Sequence, residues 1–376
     1  MTADEVNSSK LYALLHRDEL MSELLSSQRP EDFNQILLLS SGLDTAALQA
    51  GIARINSVAL VPLNGEFYKL WEPYKYIGAE NALVWMPAHE MTDSAFFSEH
   101  LVKLGGGLAK SMIRPKVALS SIQPEWAGDS QQSVNIFHLS RCGSTLLARA
   151  FYLLANSRVL SESPVLTEFL LNGHQTAPDR QHYLKLLVRL QGRLAGQERQ
   201  LVIKWNCWDL AYGAEIIQSS PEARHIFLLR HPEEILASHL LNGAGRHMVP
   251  ASTSPSRRPF QWGENLLSWR IEVLKHQMSQ MLQLIESDKA GVLVLDYADL
   301  SADTLLDITG VNPDRMTPVE QQNLARLLHE NVKIPLQKFK ADATKKRRFF
   351  GQSDRQQIEV LLPIYEQLRQ YRTVHL

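Results

Sequence analysis

The sequence predicts an α/β protein in which a parallel sheet is flanked by helices and preceded by a smaller α+β domain. From residue 134 onward, short apolar runs alternate with helical patterns. These runs are apolar along almost their whole length, as expected for strands buried on both faces of a parallel sheet. The residues before them mix helical patterns with strand-like runs in no such alternation.

The smaller α+β domain is expected to span residues 1–128. Helical patterns cover residues 9–26, 30–39, 44–55 and 94–104, and the runs SVALVPL, EFYKLW and ALVWM resemble strands. A glycine run at 105–107 and the polar stretch PEWAGDSQQS interrupt the pattern. We therefore place the domain boundary at 128/129, and the role of the first domain stays open between acceptor selection and oligomerisation.

The second domain, residues 129–376, is expected to hold the sheet. Strands are predicted at 134–139, 158–160, 201–205, 224–229 and in GVLVLDY, and helices at 144–156, 165–171, 179–194, 208–218, 232–241, 262–286 and 355–371. Ligands of such sheets bind at the carboxyl ends of the strands.

Composition excludes several classes of protein. The formal net charge of −1 provides no overall attraction to nucleic acid or to an anionic membrane. Two cysteines, Cys142 and Cys207, are too few for a disulfide framework or a cysteine zinc site. The acidic N-terminus does not resemble a signal peptide, and no apolar run reaches the length of a membrane span. We expect a soluble, cytoplasmic protein.

The stretch FHLSRCGSTLLARA predicts an anion-binding turn of P-loop-like form. A short apolar strand leads into a turn of small or cationic residues, and a helix follows. The amides that begin such a helix lack partners within it and lie at the positive end of its dipole. The turn residues are Arg141, Cys142, Gly143, Ser144 and Thr145.

The turn differs from that of nucleotide triphosphatases. Their motif G-x-x-x-x-G-K-[ST] uses its Lys for the terminal phosphates and its hydroxyl for magnesium. Here the corresponding HLSRCGST lacks the first Gly and the Lys. The apolar strand that ends in Asp296 does match the metal-assisting strand of such enzymes, although this pattern is common by chance.

A second segment, HIFLLRHPEEILASHL, lies about ninety residues further on. An apolar strand is followed by Arg230, by a Pro that opens a helix, and by Ser238 two turns into that helix. Arg230 and Ser238 can therefore face the same cleft.

Together the two segments resemble the nucleotide-binding motifs of sulfotransferases that use 3′-phosphoadenosine 5′-phosphosulfate (PAPS), in particular the bacterial type. RCGST is similar to the family's loop [KR]-S-G-[ST]-[ST], and RHPEEILAS to its R-[DNH]-P-x5-S element. VLVLDYADL resembles a Tyr-Glu-Asp-Leu signature with Ala298 in place of Glu, and KKRRFFGQ a late basic segment. The resemblance covers residues 134–371.

The resemblance implies a metal-independent transfer of a sulfuryl group from PAPS to a hydroxyl or amine of a small-molecule or peptide acceptor. The loop would hold the 5′-phosphosulfate, Arg230 and Ser238 the 3′-phosphate, and Arg347 and Arg348 the nucleotide from the late segment. Arg141 would neutralise charge at the bridging oxygen, and Lys204 would polarise the sulfonate. A homo-oligomer is compatible with this picture.

The general base is a separate question. The best-known branch uses a His where this chain has Asn206, within IKWNCW. Other branches use a Glu at the end of the strand after the loop helix, and RVLSESPV places Glu162 there. We therefore predict Glu162 as the base, ahead of His138, His231 and His239.

Further expectations concern the surroundings of the turn. At a helix N-terminus beside Arg141, the thiol of Cys142 is a candidate for a lowered pKa. Trp205, Trp208, Trp262 and Trp269 either stack on adenine or belong to the core. Residues 243–260 have the composition of a loop, and its cations Arg246, His247, Arg257 and Arg258 are candidates to cover an anion. A metal-dependent nucleotide kinase or NTPase and a catalytically silent nucleotide-binding relative are the alternative functions.

Overall fold

The protein has two units, described here from a computed structural model. It describes residues 2–27, 29–88, 111–127, 132–172, 177–193, 199–241, 265–287, 292–329, 346 and 348–373. The first unit comprises Met1–Gln131 with Ser163–Gln197, and the second comprises Gln132–Glu162 with Glu198–Leu376.

The predicted parallel sheet is present in the second unit. Its strands are β5 (Gln132–His138), β6 (Arg158–Ser161), β7 (Leu201–Lys204), β8 (Arg224–Leu229) and β9 (Val292–Asp296). They are ordered β6-β7-β5-β8-β9, and every neighbouring pair is parallel. Strand β5, the first of this sheet in the sequence, therefore lies in its centre. The chain adds strands first on one side of β5 and then on the other, and α/β sheets bind ligands at such a reversal of strand order.

Helices surround this sheet. They are α6 (Ser144–Leu154), α9 (Gly213–Ser219), α10 (Pro232–Leu241), α11 (Leu266–Ser287), α12 (Ala302–Thr309), α13 (Pro318–His329), α14 (Gln352–Ile358) and α15 (Leu362–Gln370). One buried apolar cluster joins β5, β8 and β9 to α6, α12 and α13 through side chains such as Ile136, Leu147, Phe151 and Leu305. The strands are buried almost throughout, so the expected α/β fold is confirmed.

The first unit is α+β. It contains helices α1 (Ala3–Leu14), α2 (Asp18–Ser26), α3 (Pro30–Ser41), α4 (Thr45–Ser57) and α5 (Glu66–Leu70), and strands β1 (Ala59–Leu60), β2 (Trp71–Ile77), β3 (Ala82–Pro87) and β4 (Lys116–Ala118). The strand order is β1-β4-β3-β2. An aromatic core joins helix to sheet, with the ring of Phe67 5.1 Å from Trp85 and 5.6 Å from Tyr12.

One predicted strand of this unit is wrong. EFYKLW forms the helix α5 up to Leu70, and the strand begins only at Trp71. The side chain of Asn64 accepts a hydrogen bond from the amide of Glu66 at 3.0 Å, and Lys69 pairs with Glu66 at 2.6 Å one turn along. These local contacts stabilise a helical turn in which Phe67 is buried.

The domain boundary expected at 128/129 assigns residues 163–197 to the second domain, whereas in the structure they belong to the first unit. Residues 163–197 leave the sheet and form α7 (Pro164–Asn172) and α8 (Ala177–Gly192) of the first unit. Glu168 accepts a hydrogen bond from the amide of Tyr76 in β2 at 3.1 Å, and the ring of Phe169 lies 5.4 Å from that of Tyr76. Contacts with β2 therefore hold this segment in the first unit.

The predicted helix at 94–104 lies outside the described residues. Within the described ranges, no single helix has the length and apolar composition to cross a bilayer, whereas Pro30–Ser41 and Thr45–Ser57 pass that test only as a pair bent by 98°.

Candidate functional site

Every strand of the parallel sheet places a polar group at its carboxyl end. Glu162 follows β6, Lys204 ends β7, the loop 139–143 follows β5, Arg230 follows β8, and Tyr297 follows β9. The strand order sets Glu162 and Lys204 on one side of the loop and Arg230 and Tyr297 on the other. The loop is thus the centre of the candidate site.

The loop turns sharply into helix α6 at Gly143. This residue is the N-cap of α6 with φ of +88°, and no side chain caps the helix among the described residues. A Cβ atom on Gly143 would lie 2.7 Å from Cδ1 of Leu300 and 2.8 Å from Cδ2 of Tyr297. Glycine is required here both by the backbone and by space, and the turn leads directly into the N-terminus of α6, a position at which anions bind.

Two hydrogen bonds connect the loop to the second predicted motif. The guanidinium of Arg230 donates from Nη1 to the main-chain carbonyl of Arg141 at 2.8 Å. Arg141 in turn donates from Nε to the hydroxyl of Ser238 at 2.8 Å. Residues that lie 89 and 97 positions apart in the sequence therefore meet in one cluster.

Arg230 is buried and held on three sides. Its Nε donates to the carboxylate of Glu234 at 2.9 Å, one helical turn further on in α10. Its guanidinium carbon lies 4.0 Å from the centre of the Tyr297 ring, a cation–π contact. These contacts fix the orientation of the guanidinium, a group suited to bind carboxylate and phosphate.

On the other side of the loop, Glu162 and Lys204 form an ion pair. The ammonium of Lys204, with a fully buried side chain, donates to Oε1 of Glu162 at 2.7 Å. The amide of Glu162 donates to the Lys204 carbonyl at 2.7 Å, so backbone and side chain both fix the carboxylate. Nε2 of His138 lies 3.8 Å from the same oxygen. A buried Lys is stable only with such a partner.

Two of these residues adopt a left-handed backbone that bulky side chains rarely tolerate. Arg141 has φ of +63° and Glu162 has φ of +57°. The other non-glycine residues with positive φ in the described chain are Asn81 and Asn156, and Asn tolerates this region. A strained conformation of about 1–3 kcal/mol each is kept where the surrounding contacts enforce it, often at functional sites.

Cys142 lies between the two halves of the site. The charges of Arg230 and Lys204 both act on its thiol, but burial is the larger effect and raises the pKa of Cys142 to about 12. The expectation of a lowered pKa is therefore wrong, because the thiol is removed from water. Burial, with Glu162 and Asp209 nearby, also raises the pKa of Cys207.

Several other predicted candidates have structural roles. Asn206 donates from its side chain and its amide to the carboxylate of Asp209, at 3.3 Å and 2.9 Å. Trp205 is in the core and donates to Asn135 at 2.7 Å. Of the remaining histidines, His239 is fully buried, and the ring of His231 packs 5.4 Å from that of Tyr365.

The strand-end Asp296 uses both carboxylate oxygens within the protein. Oδ1 accepts from the amide of Ala298 at 3.0 Å, and Oδ2 accepts from the hydroxyl of Tyr365 at 2.5 Å. Burial and this hydrogen bond raise the pKa of Tyr365, which keeps it a donor. In the described part of the chain, no cluster of three or more His, Cys, Asp or Glu residues forms a metal site.

Of the two predicted ligands in the late basic segment, only Arg348 is among the described residues. Arg348 is exposed, and within the described ranges no hydrogen bond or ion pair ties it to the loop. Arg347 lies outside the described residues, as do Arg246, His247, Arg257, Arg258 and Trp262.

Sequence reasoning missed two residues of the cluster. Glu234 stands four positions after Arg230 at the start of a helix, a spacing that predicts an ion pair. Tyr297 lies within VLVLDYADL, and the sequence holds no signal that its ring would cover Arg230 and abut Gly143.

Several solved structures are similar to this chain, and sulfotransferases are among them. The sulfotransferase from Alicyclobacillus acidocaldarius is 12% identical, with 65% of this chain and 98% of that chain covered and a TM-score of 0.39. The sulfotransferase domain from the curacin biosynthetic pathway is 16% identical, with coverage of 63% and 99% and a TM-score of 0.35. A retinol dehydratase in complex with androsterone and the inactive cofactor PAP is 11% identical, with coverage of 66% and 84% and a TM-score of 0.35. No protein-family model and no curated protein matches the sequence.

The substitution Gly143→Ala should destabilise the protein more than Gly310→Ala. Both glycines have positive φ, but a Cβ on Gly310 meets nothing within 4 Å, whereas one on Gly143 meets Tyr297 and Leu300. We expect Gly310→Ala to cost about 1 kcal/mol and Gly143→Ala about 1–3 kcal/mol more, from urea unfolding. Equal losses would show that the space beside Tyr297 is not tight.

The thiols of Cys142 and Cys207 should resist iodoacetamide in the folded protein. Burial raises both pKa values, so between pH 7 and 9 the modification rate should not rise as it does for an ordinary thiol. Mass spectrometry of folded and urea-unfolded samples measures this, with both thiols modified only in urea. Rapid modification of folded Cys142 at pH 7 would contradict the buried site.

Proposed function

We propose that this protein transfers the sulfuryl group of PAPS to a hydroxyl or amine of an acceptor. The observation that carries the proposal is the pair of bonds from Arg230 to the Arg141 carbonyl and from Arg141 to Ser238. These bonds bring residues of both motifs together at the same edge of the sheet, which supports binding of one nucleotide across them. The similarity to solved sulfotransferases, at low sequence identity, concerns the fold alone. The proposal about function therefore depends on Arg141, Arg230 and Ser238.

The loop and the Arg230 cluster would divide the nucleotide between them. The first amides of α6 and the hydroxyls of Ser144 and Thr145 would bind the 5′ end, with the backbone of Cys142 and Gly143 close to it. Arg230 and Ser238 would bind the 3′-phosphate, and Arg141 lies between the two groups. A phosphate at Ser238 would compete for the hydroxyl that now bonds to Arg141.

Glu162 is our candidate for the proton acceptor. Its side chain is 20% exposed whereas that of Lys204 is fully buried, so the carboxylate can reach an acceptor while the ammonium holds it in place. A carboxylate within hydrogen-bond reach of the acceptor can take up its proton. Lys204, at the end of the neighbouring strand, can add its charge to stabilisation of the sulfonate oxygens.

The alternative functions gain no support at this edge of the sheet. A magnesium-dependent kinase or NTPase would need free carboxylate oxygens at the strand end, and both oxygens of Asp296 accept hydrogen bonds. A catalytically silent relative would bind the nucleotide equally well, and only transfer assays separate it from an enzyme. The buried thiols Cys142 and Cys207 are compatible with a cytoplasmic location.

Binding of adenosine 3′,5′-bisphosphate tests the proposal directly. Calorimetry should show binding without magnesium, and ATP should bind no better when magnesium is added. Binding of ATP that requires magnesium, without binding of the bisphosphate, would instead favour a kinase or NTPase.

Arg230→Ala should weaken bisphosphate binding roughly ten- to hundredfold, about 1.5–3 kcal/mol for a lost charge-assisted partner. Arg224→Ala is the matched control. Arg224 begins the same strand at the opposite edge of the sheet and donates to the Ile308 carbonyl, so this variant should lose stability and keep its affinity. Unchanged affinity in Arg230→Ala would remove Arg230 from the site.

Glu162→Gln should keep bisphosphate affinity and lose sulfuryl transfer by about a hundredfold or more, because an amide accepts no proton. A screen of metabolites with labelled donor supplies the acceptor for this assay. His138→Gln is the companion variant, since its ring lies 3.8 Å from the Glu162 carboxylate, and it should keep most of the activity. Normal transfer by Glu162→Gln would assign the base to another residue.

A further inference from the structure

A second buried arginine of this unit lies outside the predicted motifs. Arg270 is in α11 and only 5% exposed, yet its Nε and Nη1 have no hydrogen-bond partner among the described residues. Burial lowers the pKa of Arg270. Arg nevertheless stays charged in proteins, so this position holds a buried positive charge.

Arg230 shows what a satisfied buried arginine looks like in the same unit. It is 6% exposed, nearly the same as Arg270, but it contacts the Glu234 carboxylate, the Arg141 carbonyl and the Tyr297 ring. A buried cation without such contacts is costly unless a ligand supplies them. The difference between the two arginines points to a missing anionic group at Arg270.

Arg270 lies at the edge of the sheet that carries the candidate site. Four residues separate the end of α11 from the start of β9, so α11 ends at the amino edge. Its 22 residues extend about 33 Å, which places its first turns at the carboxyl edge.

Contacts with α14 agree with this position. In the first turn of α11, Ser268 bonds to Gln357 at 3.0 Å. In the first turn of α10, which follows directly on Arg230, Glu233 pairs with Arg355 at 3.8 Å. Both helices therefore begin beside the same short helix, and Arg270 stands two residues after Ser268.

We propose that Arg270 binds an oxyanion at this edge of the sheet. The oxyanion is either a phosphate of the nucleotide or an anionic group of the acceptor, and the choice between these two sources rests on the proposed function. The proposal that Arg270 binds an oxyanion does not depend on the proposed function. The unpartnered Nε and Nη1 of Arg270 can each donate a hydrogen bond to an oxygen of a phosphate, sulfate or carboxylate.

Thermal unfolding in inorganic phosphate or sulfate, against chloride at equal ionic strength, tests the proposal without any nucleotide. The wild-type protein should unfold at a higher temperature in phosphate. Arg270→Met should show a smaller rise, the remainder coming from phosphate at the Arg230 cluster, while unfolding in chloride at the same or a higher temperature, because it removes an unpaired buried charge. Arg270→Lys keeps the positive charge but loses the guanidinium donors, so it should retain part of the rise. This variant provides the test if Arg270→Met fails to fold.

Lys275→Met is the matched control, since Lys275 is an exposed cation of the same helix. It should respond to phosphate like the wild type. A phosphate response as large in Arg270→Met as in the wild type, or no response in the wild type, would overturn the proposal. Failure of the bisphosphate to bind at all would count against the proposed function and leave this result unchanged.

Nucleotide binding then identifies the source of the oxyanion. A ten- to hundredfold loss for adenosine 3′,5′-bisphosphate in Arg270→Met, with adenosine 5′-phosphate little changed, would assign Arg270 to the 3′-phosphate. A similar loss for both would assign it to the 5′ end. A third outcome would assign Arg270 to the acceptor. In that case Arg270→Met binds both nucleotides as tightly as the wild type does. With bisphosphate at saturation, phosphate still raises the unfolding temperature of the wild type but not that of Arg270→Met.

Discussion

The left-handed turn at Arg141 is the constraint on which the rest of the site depends. It directs the main-chain carbonyl to Arg230 and the side chain to Ser238, so two cations lie in one cluster. The Glu234 carboxylate and the face of the Tyr297 ring both interact favourably with the charge of Arg230. The strained backbone at Arg141 thus fixes the positions of both arginines.

The strand order divides the chemistry of the site. Cations and the Tyr297 ring lie towards β8 and β9, whereas the Glu162–Lys204 pair lies towards β6 and β7. One side is thus suited to hold a charged ligand and the other to exchange a proton with a neutral one. The buried thiol of Cys142 lies between them and feels the charges of both Arg230 and Lys204.

Local signals predicted the second unit better than the first. The apolar run and the Pro that follows it fixed β8 and α10 to the residue, because both elements are determined by nearby sequence. The strand predicted at EFYKLW is instead the helix α5, where Asn64 accepts from the Glu66 amide and Lys69 pairs with Glu66, contacts that the alternating pattern does not reveal. The excursion at 163–197 depends on long-range contacts with β2, and the unpartnered state of Arg270 depends on packing, so neither has a local signal.

Asp296 explains why a departure from the resembled motif leaves the site intact. The motif carries Glu where this chain has Ala298, yet the turn after β9 is capped in both directions. Asp296 accepts from the Ala298 amide at 3.0 Å, and the Asp299 carboxylate accepts from the Asp296 amide at 3.0 Å. Arg372 holds Asp299 at 3.1 Å, and Tyr365 holds the second oxygen of Asp296. The aspartate at the end of β9 therefore positions the Tyr297 ring against Arg230 and Gly143, and a glutamate at 298 is not needed for that geometry.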